Sequence, residues 1–255
     1  MRGVRSEALI LRSVDFGESD RILHLLTPDM GRLTAIAKGA RRSVRRFPGT
    51  LDFFNRLQVQ ILRRRSGAMA LLEQATLIES FAPLRHDTRR FALGCYLLEV
   101  LDRLAPEAGS SADVQRLFRF ALTALRAAAT CAPDIRLRIF LELRVLEALG
   151  LRPELRRCVR CAVDLTGTTE VDFCVPDGGT VCASCASGLG GLVRVHAGTL
   201  RGLEQGIRFE FEQLDRLSLG TVALEESRLL VGRFKQYHLG IELRSEAFLT
   251  EVLRA

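Results

Sequence analysis

Leu57-Gln58-Val59-Gln60-Ile61 reads apolar, polar, apolar, polar, apolar. A period of two puts Leu57, Val59 and Ile61 on one side of an extended chain and both glutamines on the other, the pattern of a half-buried strand. The pattern spreads outward from there. Leu33, Ala35 and Ala37 alternate with Arg32, Thr34 and Ile36. Ile22 to Thr27 runs into Pro28-Asp29-Met30-Gly31, where Pro presets φ and Gly accepts a positive φ, so a turn is expected there. With Ala8–Val14 and Met69–Ile78 added, five strands fall within the first 80 residues. Five antiparallel strands in so short a length predict a small barrel, with the OB-fold as the leading candidate.

Near Ala82-Pro83 the apolar period changes to that of a helix. Phe91, Cys95, Leu98 and Leu101 would line one face of a first helix. Ser110-Ser111 is placed to cap a second, with Val114, Leu117, Phe118, Ala121, Leu122 and Leu125 on its buried side. A third, from about Asp134 to Leu149, is apolar over more than half its circumference and stops at Gly150, so it should be central. Helical spacing returns in Leu200, Leu203, Ile207, Phe211 and Leu214. Two more helices follow, about Glu225 to His238 and Glu246 to Leu253, the last with Ser245 as its cap. They are expected to pack on the first three. The fold class is therefore α+β: a barrel over 1–80, a helical domain in two parts over 81–155 and 193–255, and a cysteine-rich insertion over 156–192.

That insertion holds five of the seven cysteines. Cys158-Val159-Arg160-Cys161 and Cys182-Ala183-Ser184-Cys185 are two CxxC pairs separated by 20 residues. Two thiolates three apart chelate one metal from a tight turn, and two such turns complete a tetrahedron, so the spacing predicts a structural Zn²⁺. The stretch between, with Gly167-Thr168-Thr169 and Pro176-Asp177-Gly178-Gly179, reads as loop without a core, leaving the metal to supply folding energy. Four cysteine ligands leave no position open for water, hence a structural metal, one per chain. Cys174 is read as a bystander, and Cys95 and Cys131 as small core or near-core residues.

The net charge of +7 is unevenly spread. Residues 1–80 carry 14 Lys/Arg against 8 Asp/Glu; residues 81–255 carry 23 against 22. Much of the excess lies in Ala37-Lys38-Gly39-Ala40-Arg41-Arg42-Ser43-Val44-Arg45-Arg46, between the third and fourth strands. Lys38, Arg41, Arg42, Arg45 and Arg46 are the candidate phosphate contacts, a basic loop at the edge of a barrel being suited to nucleic-acid backbone. Phe47, Phe53 and Phe54 are the aromatic rings at hand for base stacking, with Phe53 and Phe54 equally suited to a core. No P-loop, HExxH, GxSxG or dinucleotide GxGxxG occurs, and His24, His86, His196 and His238 are scattered, which favours a binding protein over an enzyme. No apolar run approaches the ~20 residues that span a bilayer, and the first apolar run is too short for a signal peptide. A cytoplasmic protein without membrane contact is expected.

Several stretches together resemble the bacterial recombination-mediator family RecO. They are Gly17-Glu18-Ser19-Asp20-Arg21-Ile22-Leu23, Leu25-Leu26-Thr27 with Gly31 four residues on, Ala37 to Arg42, Leu51 to Phe54, both CxxC pairs, Gly178-Gly179, and Leu239-Gly240 followed by Leu243-Arg244-Ser245 and Phe248-Leu249. The resemblance covers nearly the whole chain. It implies binding of single- and double-stranded DNA, annealing of complementary strands, and help in loading recombinase onto DNA coated by single-stranded-DNA-binding protein. It further implies partnership with RecR and with the acidic C-terminal tail of the single-stranded-DNA-binding protein, in the cytoplasm at the nucleoid. An OB barrel with a Cys₄ module would serve RNA equally well, so a zinc-containing RNA-binding or ribosome-associated factor is the alternative.

Overall fold

The computed structural model describes residues 3–43, 45–62, 69–107, 112–165 and 167–254. Val44 of the basic stretch and the expected Ser110-Ser111 cap lie outside the described residues. Contacts divide the chain into two compact units, one of residues 1–130 with 243–255 and one of residues 131–242.

In the first unit, five strands close into a barrel in the order β1-β2-β3-β5-β4. They are β1 (Gly3–Phe16), β2 (Asp20–Thr27), β3 (Gly31–Ala37), β4 (Asn55–Leu62) and β5 (Ala70–Ser80). β1 is long enough to pair with two neighbours: Gly3 to Leu9 bonds to β4, and Leu9 to Phe16 to β2, with a bulge between Ile10 and Arg12 that bends it from one to the other. β3 and β5 close the ring through a short parallel contact, Ala35 to Ala70 and Ile36 to Leu71. This is the expected OB barrel. Leu57, Val59 and Ile61 point inward, meeting Ala8, Ile10, Leu23, Leu25 and Ala35, so the alternation that predicted β4 also packs the core.

Leu9, Leu11 and Leu26, on strands whose neighbouring residues fill the interior, are buried as well. The reason is a helical cover: α1 (Thr88–Leu104) lies against β1 and β2, and α2 (Ala112–Thr130) against β2. α1 begins at Asp87, whose carboxylate accepts the Arg90 N–H at 2.8 Å. Of its expected face, Leu98 and Leu101 are buried, but Phe91 is 40 % exposed. With strands on one side and helices on others, α1 buries a broader arc that includes Leu93, Leu97 and Val100. The expected face of α2, Val114 through Leu125, is buried throughout. α7 (Arg244–Arg254) packs on α1. Ser245 lies inside α7 instead of capping it: Glu99 of α1 accepts the N–H groups of Arg244 and Ser245, both at 2.9 Å, and the Ser245 hydroxyl at 2.5 Å.

The second unit is built on α3 (Ile135–Ala148), which is buried over most of its surface. Asp134 caps its start by accepting the Leu137 N–H at 2.8 Å. At its end Gly150 turns at φ +79°, and its N–H bonds to Glu147 O while that of Leu151 bonds to Leu146 O, a Schellman closure. α5 (Ala197–Arg208) and α6 (Thr221–Leu239) pack on α3. The expected long face from Leu200 to Leu214 is buried but broken: α5 stops at Arg208, and a 3-10 turn from Phe211 to Arg216 carries the rest.

α5 crosses α3 at a glycine. A Cβ on Gly206 would stand 2.2 Å from Phe140 Cζ and 2.7 Å from Leu217 Cδ1, and Phe140 is fully buried. Gly206→Ala is therefore expected to destabilise by about 1–3 kcal/mol through overpacking. A Cβ on Gly232, within α6, would meet nothing within 4 Å, and Gly232→Ala should instead stabilise by about 0.5–1 kcal/mol. Thermal melts of the two variants, moving in opposite directions, check the packing.

Candidate metal centre and nucleic-acid interface

The cysteine segment departs from the loop expected. β6 (Glu170–Cys174), β7 (Gly179–Val181) and β8 (Leu192–His196) form an antiparallel sheet in the order β7-β6-β8. Val171 and Phe173 of β6, Val181 of β7, and Val193 and Val195 of β8 are buried. Phe173 meets Phe234 of α6 edge-on, with centroids 6.0 Å apart. The segment thus has a small core of its own, and a metal bound by the cysteines would have its turns to hold rather than the whole of it.

Those turns converge. The first CxxC bends back on itself: Cys158 N–H bonds to Val163 O and Ala162 N–H to Cys158 O, with Ala162 at φ +62°. The second opens a single helical turn, α4 (Ala183–Ala186), for which Cys182 is the N-cap. Val159 N–H bonds to Thr180 O at 2.9 Å, which ties the first turn to β7 two residues before Cys182. The approach is close enough to need glycine: a Cβ on Gly179 would lie 2.9 Å from Glu154 O and 2.4 Å from Val159 Cγ1. Arg160 and Asp177, an ion pair at 2.7 Å with no signature in the sequence, fasten the same turn to the β6–β7 connection.

The sulfurs of Cys158, Cys161, Cys182 and Cys185 all lie within 4.8 Å of one another, and those of Cys161 and Cys182 are 3.7 Å apart. A tetrahedral Zn²⁺ with bonds of ~2.3 Å separates its ligands by about 3.8 Å. The four residues therefore fit such an ion. Their acidities point the same way. Burial works against ionising Cys158, yet the backbone N–H groups of Cys182, Cys161 and Arg160 outweigh it and bring its thiol down to about 6. Contacts with the sulfurs of Cys182 and Cys161, followed by desolvation, push Cys185 up to about 12. One thiolate forms readily and opposes the next, the situation a divalent cation relieves. Cys174, buried in β6, is not part of the group.

The basic loop sits where expected, between β3 and β4, and it is held. Gly39 N–H donates to Asp20 Oδ1 at 2.7 Å and Arg41 N–H to Ser19 O at 3.0 Å, fixing its start to the β1–β2 turn. Ala75 N–H donates to Arg46 O at 3.2 Å, fixing its end to β5. Phe47 and Leu51 then sink into the barrel core. Lys38, Arg41, Arg42, Arg45 and Arg46 are all exposed. Arg41 lies 3.7 Å from Asp15 and Arg42 3.8 Å from Glu18, loose pairs in water that contribute little. Arg46 donates to Lys38 O at 2.6 Å.

The rings at hand for base stacking are used elsewhere. Phe47 is in the core. Phe54 is buried at φ +65°, its ring so close to α1 that a Cβ on Gly94 would stand 2.7 Å from it. Phe53 is half-buried against the core. Three of the four histidines have structural partners as well. His24 Nδ1 is 2.6 Å from Asp102 of α1, His196 Nδ1 2.6 Å from Glu226 of α6, and His238 Nε2 2.9 Å from Val175 O.

Two family profiles cover the chain: Recombination protein O N terminal matches residues 1–81, and Recombination protein O C terminal matches residues 85–247. This chain belongs to the RecO family. Proteins named DNA repair protein RecO resemble it along their length. That of Anaeromyxobacter sp. (strain K) is 36 % identical over 256 residues, 99 % of this chain and 98 % of its own. That of Roseiflexus sp. (strain RS-1) is 34 % identical over 255 residues, 98 % of this chain and 86 % of its own. The RecO relative of Pelotomaculum thermopropionicum is 31 % identical over 249 residues, 98 % and 94 % respectively. The first family region coincides with the barrel and its loop, the second with most of the helices and the four cysteines. Among the described residues, no helix is long and apolar enough to cross a membrane.

Proposed function

We propose that this RecO-family protein is a non-enzymatic recombination mediator. It binds single- and double-stranded DNA, anneals complementary strands, and helps load recombinase onto DNA coated by single-stranded-DNA-binding protein. The observation that carries the reading is a row of exposed cations held in place at the edge of an OB barrel. A preformed cationic edge loses little conformational entropy on meeting a phosphate backbone, and phosphates carry no base identity, so the resulting affinity is general. Annealing needs that property: two polyanions come together only where their charge is neutralised.

Partners follow from the same reading: RecR, and the acidic tail of the single-stranded-DNA-binding protein, with action at the nucleoid. A Zn²⁺ held by Cys158, Cys161, Cys182 and Cys185 would cross-link the two turns and take no part in chemistry. The deciding experiment is annealing of complementary strands coated with single-stranded-DNA-binding protein. Acceleration well above the protein-free rate is expected. An unchanged rate, or tighter binding to RNA than to single-stranded DNA, would replace the reading with that of an RNA-binding factor.

A further inference from the structure

The barrel's outer face carries a registered apolar row that is half-buried at Ile22, Ile36 and Leu71 and open to water at Val14. The register pairs Val14 of β1 with Ile22 of β2, Ile22 with Ile36 of β3, and Ile36 with Leu71 of β5. Their neighbours Leu23 and Ala35 point into the core, so these four point out. Directly paired side chains lie ~4.5–5.5 Å apart, which makes the row continuous across four strands. Val14 is 44 % exposed. Phe16, two residues on and on the same face, is 52 % exposed. Single exposed apolar residues are ordinary on any protein; a registered row ending in an open aromatic ring marks a contact surface.

What the surface contacts is indicated by the charges beside it. Phe16 is paired in register with Asp20, the residue whose carboxylate holds Gly39 at the start of the basic loop. Arg41 bonds through its backbone to Ser19, in the turn that follows Phe16. A flat ring and an apolar floor thus adjoin a cationic loop. In OB barrels the outer face of strands two and three, together with the first inter-strand loop, receives oligonucleotides. Single strands offer both halves of the match, phosphates for cations and bases for rings. A double helix, with its bases stacked away, offers only the first.

We propose that Phe16 is the stacking platform for a base of single-stranded nucleic acid, with Val14, Ile22 and Ile36 as its floor and the basic loop holding the adjoining phosphates. The inference rests on the DNA-binding reading above and adds to it the residue that distinguishes single from double strands.

The chain contains no Trp, so Phe16→Trp introduces one fluorescent reporter at the site itself. This variant would be titrated with a labelled oligo-dT and with an abasic strand of equal length, following emission and anisotropy together. Emission should be quenched by oligo-dT and much less by the abasic strand. Phe16→Ala should weaken oligo-dT binding roughly tenfold. Its affinity for the abasic strand and for duplex, and the salt dependence of its binding, should stay as in the parent protein. Phe16 is half in water, so both variants should melt near the parent temperature. Unchanged emission while anisotropy reports bound oligo-dT would overturn the proposal and leave DNA binding standing, the face then serving a protein partner. No anisotropy change with any strand, in the parent protein, would remove the DNA-binding reading and the proposal with it.

Discussion

Replacing Arg41, Arg42, Arg45 and Arg46 together by Gln is expected to leave a folded protein that binds single-stranded DNA with a much flatter salt dependence. Every phosphate that an arginine no longer neutralises keeps its counterions, lowering the slope of log K against log salt by about 0.7, so four such phosphates lower it by about 2.8. At 0.1 M salt that corresponds to a loss of roughly two to three orders of magnitude in affinity. The loss should be equal for unrelated sequences, and annealing should fall with it. The fold should survive because all four side chains are exposed and such changes usually cost within ~0.5 kcal/mol each. The acids nearby refine the expectation. Arg41 and Arg42 have Asp15 and Glu18 at 3.7 and 3.8 Å, so a phosphate must displace a carboxylate from each. Arg46 is tied as well, donating to Lys38 O at 2.6 Å, so the Arg41/Arg42 and Arg45/Arg46 double variants should lose similar amounts. Titrations at several salt concentrations measure this directly. A folded quadruple variant with the parent slope would return the loop to a solvated connection without a partner.

Cys158→Ser or Cys182→Ser should abolish metal binding and lower stability by several kcal/mol, since structural Zn²⁺ contributes roughly 10–16 kcal/mol of apparent binding free energy where it organises a small module. The purified parent protein should hold one Zn²⁺ per chain by elemental analysis. The expected damage is graded by position. The sheet of β6, β7 and β8 buries Phe173 against α6 and should keep that contact without metal. The turn from Cys158 to Ala162 has little but a few backbone bonds and the Arg160–Asp177 pair to hold it, so hydrogen exchange should rise there first. Cys174→Ser should retain the metal, because Cys174 lies outside the group of four. Parent protein that carries no metal, and cysteine variants that melt at its temperature, would overturn the assignment.

How much of this was legible in the sequence differs by element. The barrel was legible because its signal is local: alternation at Leu57, Val59 and Ile61 is a property of a few consecutive residues. The third helix was legible for the same reason, with Asp134 and Gly150 marking its ends. The four cysteines announce themselves through the spacing that a shared ion requires. The small sheet was missed although Val171 and Phe173 do alternate with Glu170 and Asp172. Strands as short as β6, β7 and β8, among glycines and threonines, carry too little periodicity to stand out.

Other features belong to tertiary structure alone. A helical period says that one face is buried but names no partner; that α7 packs on α1 while α6 packs on α3 is settled by contacts between residues far apart in the chain. In the sequence Phe47 is at hand for stacking and Phe54 is open to either stacking or a core; in the fold both are core, whereas Phe16 lies open. The difference is made by which side of a strand or loop faces the interior, and that follows from register. Glu142 reads as a charge on an otherwise apolar helix; Arg138 one turn away and Lys235 from α6, at 3.1 and 3.2 Å, make its burial tolerable. The sequence by itself determined the five barrel strands, the ends of the third helix, the paired cysteines and the charged loop, because each rests on neighbours within a few residues. Tertiary structure decided which faces meet, which aromatics remain in water and which charges are paired, because burial is a property of the assembled chain.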